Sequence, residues 1–215
     1  MEPISKSVVR KDHEPKMSGR SLYVGDYGNE GVLTGKFLRA KAARARILSV
    51  KVPELPPGYF YIDRRDVPGV NKVHIVMDDT PVFAEDITEY IGEPIAMVAG
   101  PDPKKVDELL AAIQVDWEEL EPVLDIRKSD TVFFDYEYGK GNLEEAFAQA
   151  DKIYEEEFST GYQDQTYLET QAMMAEPEED GRMFVHGSLQ CAYYVHTALM
   201  QALGCGPDEV HVLQD

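Results

Sequence analysis

The chain has 215 residues, 21 basic against 40 acidic side chains, a net charge of −19 and 43% hydrophobic residues. That length can bury a core without disulfide or metal staples, and that apolar fraction, with no long apolar run, excludes both a disordered chain and a membrane-spanning one. Cys191 and Cys205 cannot build a disulfide framework, and the polar opening residues lack the apolar stretch of a signal peptide, so a soluble, acidic, cytoplasmic protein is expected.

Charge is unevenly placed. Residues 1–50 carry 10 basic and 5 acidic side chains, whereas residues 101–180 carry 6 basic and 23 acidic ones. An acidic surface repels phosphate backbones and anionic lipid, so no nucleic-acid partner and no membrane insertion are expected. The acidic half reads first as a solvated face. The basic first fifth could pair with it or with another subunit, which leaves a homo-oligomer open.

Residues 1–16 read as a polar N-terminal arm. Short β-like runs follow at Val32–Arg39, Arg46–Val52, Tyr59–Asp63, Val82–Glu85 and Pro94–Ala99, bounded by Gly31, Pro53, Pro56-Pro57-Gly58, Pro68-Gly69 and Gly100. A helix is signalled next: Asp102 can cap it, Pro103 suits its first position, and Val106, Leu109, Leu110 and Ile113 fall on one stripe. Val115–Glu118 returns as a strand, and the stripe with Trp117 is expected to form one core under the sheet.

Residues 122–141, with the Gly139-Lys140-Gly141 turn, read as a seam. Beyond it, Asn142 and Glu145 match a capping box, with Leu143 and Phe147 on one helix face. Strands are expected at Lys152–Phe158, Thr170–Ala175 and Met183–His186. A helix from about Gln190 to Leu203, stopped by Gly204, and a strand at Val210–Leu213 complete the chain.

The usual constellations fail. His13, His74, His186, His196 and His211 show no metal-ligand spacing, and the cysteines make no CxxC pair, so no metal held directly by side chains is expected. Gly25, Gly28 and Gly31 match neither a dinucleotide fingerprint nor a Walker loop, and no nucleophile elbow occurs. One segment stands out. Gly161–Thr170 places Gln163, Gln165, Tyr167 and Glu169 between two strands, and amides that both donate and accept can hold a polyoxygenated ligand without adding charge. A surface loop is the plainer reading of the same composition.

Several stretches resemble, in collinear order, the xanthine dehydrogenase and aldehyde oxidase family. Gly92–Ile126 (GEPIAMVAGPDPKKVDELLAAIQVDWEELEPVLDI) resembles its α/β hammerhead domain. Gly31–Arg39, Ala43–Ile47 and Asp66–Gly69 agree in order, as do the lead-in residues Val9–Asp12 and Met17–Gly19. Gln163–Thr170 resembles the motif opening the molybdopterin-binding region, Ser188-Leu189-Gln190 resembles a Ser-Thr-Gln motif, and Leu203-Gly204 with Val210-His211-Val212 fits the next helix end and strand.

The resemblance implies an α+β fold: an N-terminal arm (1–16), a hammerhead domain (17–126), a linker (127–141) and the incomplete start of a molybdenum cofactor-binding domain (142–215). It implies part of a molybdenum-dependent oxidoreductase that hydroxylates an electron-poor carbon of a purine, another N-heterocycle or an aldehyde with water. Molybdenum would be held by molybdopterin, alone or as its cytosine dinucleotide, with a sulfido or selenido ligand, and the cofactor would carry the redox chemistry. Gln163 matches the glutamine that hydrogen-bonds an oxo ligand of the metal, and Gln190 matches a position near the cofactor. Iron–sulfur and FAD centres would sit on partner subunits or domains, because two cysteines cannot ligate a cluster that needs four.

Gln165 stands where the family has His, Asp164 where Glu is common, and Leu189 where Thr is usual. The family's glycine-rich loop after Val210–Gln214 and its catalytic glutamate fall outside this sequence, so no catalytic residue is assigned. The chain therefore reads as the N-terminal portion of the large subunit, whether shortened, a fragment or a split subunit, with the remainder of that subunit as its first partner. The alternative is a non-catalytic scaffold or subunit-interface module. On the enzyme reading, these 215 residues alone are inactive and bind no molybdenum cofactor stoichiometrically; metal analysis finding about one molybdenum per chain would contradict this.

Overall fold

The computed structural model describes residues 7–27, 30–75 and 77–214. They form two compact units: residues up to Pro122 together with Glu169 onward, and Val123–Leu168.

The first unit opens on a short helix, α1 (His13–Met17), with no buried residue, and a 3₁₀ turn, Val24–Asp26, whose Val24 is buried. Two three-stranded antiparallel sheets follow. In one, β5 (Pro94–Gly100) lies between β1 (Thr34–Arg39) and β3 (Phe60–Asp63), with Lys36 and Tyr61 both opposite Val98. In the other, β2 (Ala45–Lys51) lies between β4 (Ile87–Thr88) and β6 (Gln114–Glu119), Ile47 facing Trp117. Central β5 is apolar at successive positions because both of its faces are covered.

Helix α2 (Pro103–Ala112) carries the chain from β5 to β6. The Lys104 N–H donates to the Asp102 carboxylate at 2.9 Å, and Pro103 occupies the first turn. Its stripe buries Val106, Leu109 and Ile113 against Val98. Leu110 only borders that cluster, and Trp117 packs instead on a second one formed by Ala40, Ala84 and Ile95. The core is thus two clusters where the helical spacing suggested one. β6 meets the stripe through Val115, while Trp117, two residues on, lies over the other cluster.

Two expected strands are absent. At Val82–Glu85 the chain is irregular, because the Phe83 N–H and carbonyl are both taken by the side chain of Asn71 (3.0 and 2.8 Å) rather than by a neighbouring strand. The pairing moves on to β4. Lys152–Phe158 is exposed and unpaired, since no other strand among the described residues runs beside it.

The second unit contains a 3₁₀ turn at Ile126–Lys128 and α3 (Leu143–Gln149), capped by Asn142, which accepts from the Glu145 N–H at 3.2 Å. Leu143 and Phe147 share a face of α3 but remain exposed. The first unit resumes with a mixed sheet of β7 (Met173–Pro177), β8 (Met183–Gly187) and β9 (Val210–Gln214). β7 starts three residues later than Thr170, because the Ala172 carbonyl already accepts from Ser188 and the register begins at Met173 opposite Gly187.

Truncating the stripe should report its burial. Leu109→Ala should cost about 2–5 kcal/mol by denaturant titration, and the half-buried Leu110→Ala less. An unchanged midpoint for Leu109→Ala would contradict the packing.

Candidate cofactor-binding edge

β8 and β9 run parallel, Val185 opposite Val212 and Gly187 opposite Gln214, and the connection between them is helix α4 (Ala192–Leu203). A parallel pair needs such a crossover, and it brings the carboxyl ends of both strands beside the amino end of the helix. Open sheets of this kind receive ligands at that edge, where unpaired helix N–H groups and the helix dipole favour anionic oxygen.

Gln190 stands there. It is exposed, in the four-residue link between Gly187 and Ala192. Cys191, the residue ahead of α4, puts no side-chain acceptor on the first turn, and that turn holds no acidic side chain. In a chain of net charge −19, a helix start with no acidic side chain in its first turn and the neutral Gln190 just ahead of it suits an anion better than a cation.

The loop returning from α4 is fixed by His196, whose Nε2 lies 3.0 Å from the Pro207 carbonyl and 3.1 Å from that of Val210. That accounts for one histidine without any metal. His186 is buried within β8, stacked on Phe184 (5.4 Å between ring centroids) and met edge-on by Tyr27 (4.7 Å). Glu169 accepts from the Val24 N–H at 3.1 Å, tying the early 3₁₀ turn to this sheet's approach segment. The sequence shows Glu169 only as part of a polar run and gives no sign of its role as an anchor.

Gln163 belongs to the second unit. It is exposed, and its amide makes no hydrogen bond among the described residues. The turn after it is closed locally: the Thr166 N–H donates to the Asp164 carboxylate and the Thr166 hydroxyl to the Asp164 carbonyl, both at 3.2 Å. Thr166 sits at φ +49°, an unusual value for a residue with a branched side chain. Asp164 is thereby spent on the turn, and the adjoining Gln163 amide keeps its donor and acceptor available.

The titratable groups pushed off their ordinary values lie elsewhere. Burial pushes Tyr61 up to about 12, and the Arg65 guanidinium beside Asp63 holds that carboxyl below the usual range. Both belong to β3, not to the β8–β9 edge. Among the described residues no group of three or more His, Cys, Asp or Glu could hold a metal ion. The donors available at the edge are neutral amides and main-chain N–H groups, which fit an organic ligand rich in oxygen and phosphate better than a bare cation.

Comparison with known proteins gives this geometry a family. Residues 18–121 match the a/b hammerhead domain of aldehyde oxidase and xanthine dehydrogenase, and residues 125–215 match the molybdopterin cofactor-binding domain. The chain belongs to the xanthine dehydrogenase and aldehyde oxidase family. It is 32% identical over 202 residues to a probable xanthine dehydrogenase subunit of Bacillus subtilis, covering 87% of this chain and 27% of that protein. Aldehyde oxidoreductase from Desulfovibrio gigas superposes with a TM-score of 0.79 at 20% identity, over 96% of this chain and 26% of that one. Quinoline 2-oxidoreductase from Pseudomonas putida 86 gives 0.79 at 23%, over 98% and 30%. These structures share the fold: a hammerhead domain joined to cofactor-binding elements. This chain spans about a quarter of the Bacillus relative's length.

Proposed function

We propose that this chain supplies the hammerhead domain and the first elements of the cofactor-binding domain of a molybdenum hydroxylase, which oxidises an electron-poor carbon of a purine, another N-heterocycle or an aldehyde using water. The observation that carries the reading is the β8–α4–β9 unit, which sets Gln190 at the amino end of a helix with no side-chain cap, on the carboxyl edge of two parallel strands. The remainder of the large subunit and iron–sulfur and FAD subunits or domains would be its partners. A cytoplasmic location is part of the same proposal; among the described residues no helix is long and apolar enough to cross a membrane.

Molybdopterin, with or without a cytosine dinucleotide extension, would supply the two-electron redox chemistry when bound. The protein's part is to bind and orient. The first N–H groups of α4 and the Gln190 amide would hold an anionic oxygen of the cofactor, and the absence of carboxylates from that turn avoids repulsion. Gln163 would donate its amide N–H to a cofactor acceptor whose negative charge rises as the reaction proceeds. A neutral donor facing growing charge strengthens as the transition state is approached, so it lowers the barrier more than it stabilises the resting state. Gln165, Asp164 and Leu189 occupy positions where the family usually carries other side chains, so the substrate side of such a site would differ from that of its relatives.

The test uses the complete enzyme. Gln190→Ala should lower molybdenum content per protein, and Gln163→Ala at equal molybdenum content should lower turnover about 10²–10³-fold, as loss of an oxyanion donor does. Unchanged loading in the first and equal turnover per bound molybdenum in the second would remove both residues from the site.

A further inference from the structure

The last turn of a helix leaves carbonyls without partners. α4 ends at Leu203, and Gly204 turns the chain away at φ +66°. Two of the exposed carbonyls are nevertheless satisfied, from far away in sequence. The Gly69 N–H donates to the Ala202 carbonyl at 2.9 Å, and the Val70 N–H donates to that of Gln201 at 2.8 Å. The contact is main chain on main chain: a Cβ placed on Gly69 would lie 2.0 Å from the Gln201 oxygen and 2.7 Å from the Gly204 nitrogen.

The donating loop is itself tied down. Asn71 holds both backbone groups of the buried Phe83, and the Asp63 N–H donates to the Asp66 carboxylate at 2.9 Å while the Asp66 N–H returns to the Asp63 carbonyl at 2.9 Å. α4 has no fully buried residue of its own; it packs on β9 through half-buried positions. His196 ties its middle to the Pro207 and Val210 carbonyls, so the cap is what holds its far end. The helix is 12 residues long, a rod of about 18 Å, and a tilt imposed at its C-terminus is delivered at its N-terminus beside Gln190. β8, on the other side of Gln190, is gripped through Tyr27 on His186.

From this we infer that the Pro68–Asn71 loop of the hammerhead is a positioning clamp for α4, with Gly69 and Asn71 as positioning residues that set where Gln190 is presented. Its functional consequence rests on the proposed role of Gln190; its structural content does not. A group displaced by about 1 Å from a reacting centre can cost on the order of 10² in rate, so a clamp remote from the chemistry has leverage over it.

The experiment is hydrogen–deuterium exchange on the complete enzyme and its Gly69→Ala and Asn71→Ala variants, with Gly139→Ala as control because a Cβ there meets nothing within 4 Å. Asn71→Ala loosens the loop without a clash and keeps the test open should Gly69→Ala fail to fold. Exchange should rise at least about tenfold in residues 198–204 and also in residues 188–195, while residues 94–113 stay protected. A rise confined to 198–204, or none in either segment, overturns the clamp. Molybdenum content measured on the same samples separates the two ideas. If exchange rises in both segments at full loading, the clamp stands and the role of Gln190 falls; if loading also drops, both stand.

Discussion

What is proposed for Gln190 depends on where one helix points. α4 joins two parallel strands, ends in a glycine turn and is preceded two residues earlier by Gln190, yet it buries no residue completely. Its far end is held by two backbone hydrogen bonds from Gly69 and Val70, at a distance too short for any side chain to intervene. Main-chain contact of this kind fixes spacing more tightly than interdigitated side chains, which can change rotamer. The hammerhead that carries the donating loop is packed around two clusters, at Val98 and at Ala84. Packing in the first domain is thereby converted into orientation in the second.

Electrostatics support the same edge by what is left out. The chain carries nearly twice as many acidic as basic side chains, but the first turn of α4 has none of the former. Surface ion pairs such as Lys36–Asp107 and Arg46–Glu118 offset part of the acidic charge within the hammerhead and contribute little to stability individually. The neutral amide of Gln190 offers a directional donor ahead of α4 without the desolvation cost that burying a charge would carry.

The hammerhead elements were legible in the sequence because local signals agreed: Asp102 and Pro103 start α2, the Val106–Ile113 stripe gives its face, and apolar β5 implies cover on both sides. The errors share a cause. Alternation shows which face of a strand is apolar but not whether a neighbour exists, so Lys152–Phe158 looks like a strand and stands unpaired. At Val82–Glu85 the competitor was a single side chain, Asn71, which no local pattern could announce. Of the candidate residues, Gln163 stood out as part of a polar run, and Gln190 was legible only through family resemblance. Gln190 looks ordinary in sequence, and only the parallel register of β8 and β9 shows that it lies at the carboxyl edge of that pair, just ahead of α4. Gly69 reads as a turn glycine after Pro68, and its close approach to Gln201, more than 130 positions away, emerges only from the fold.

The most direct measurement is the position of molybdenum itself, located by anomalous scattering at its absorption edge in crystals of the complete enzyme. The account predicts a cofactor lying against the carboxyl ends of β8 and β9, with an acceptor atom within hydrogen-bond reach of Gln190 or the first N–H groups of α4. A cofactor lying against the amino ends of those strands, or out of reach of the α4 amino terminus, would contradict it.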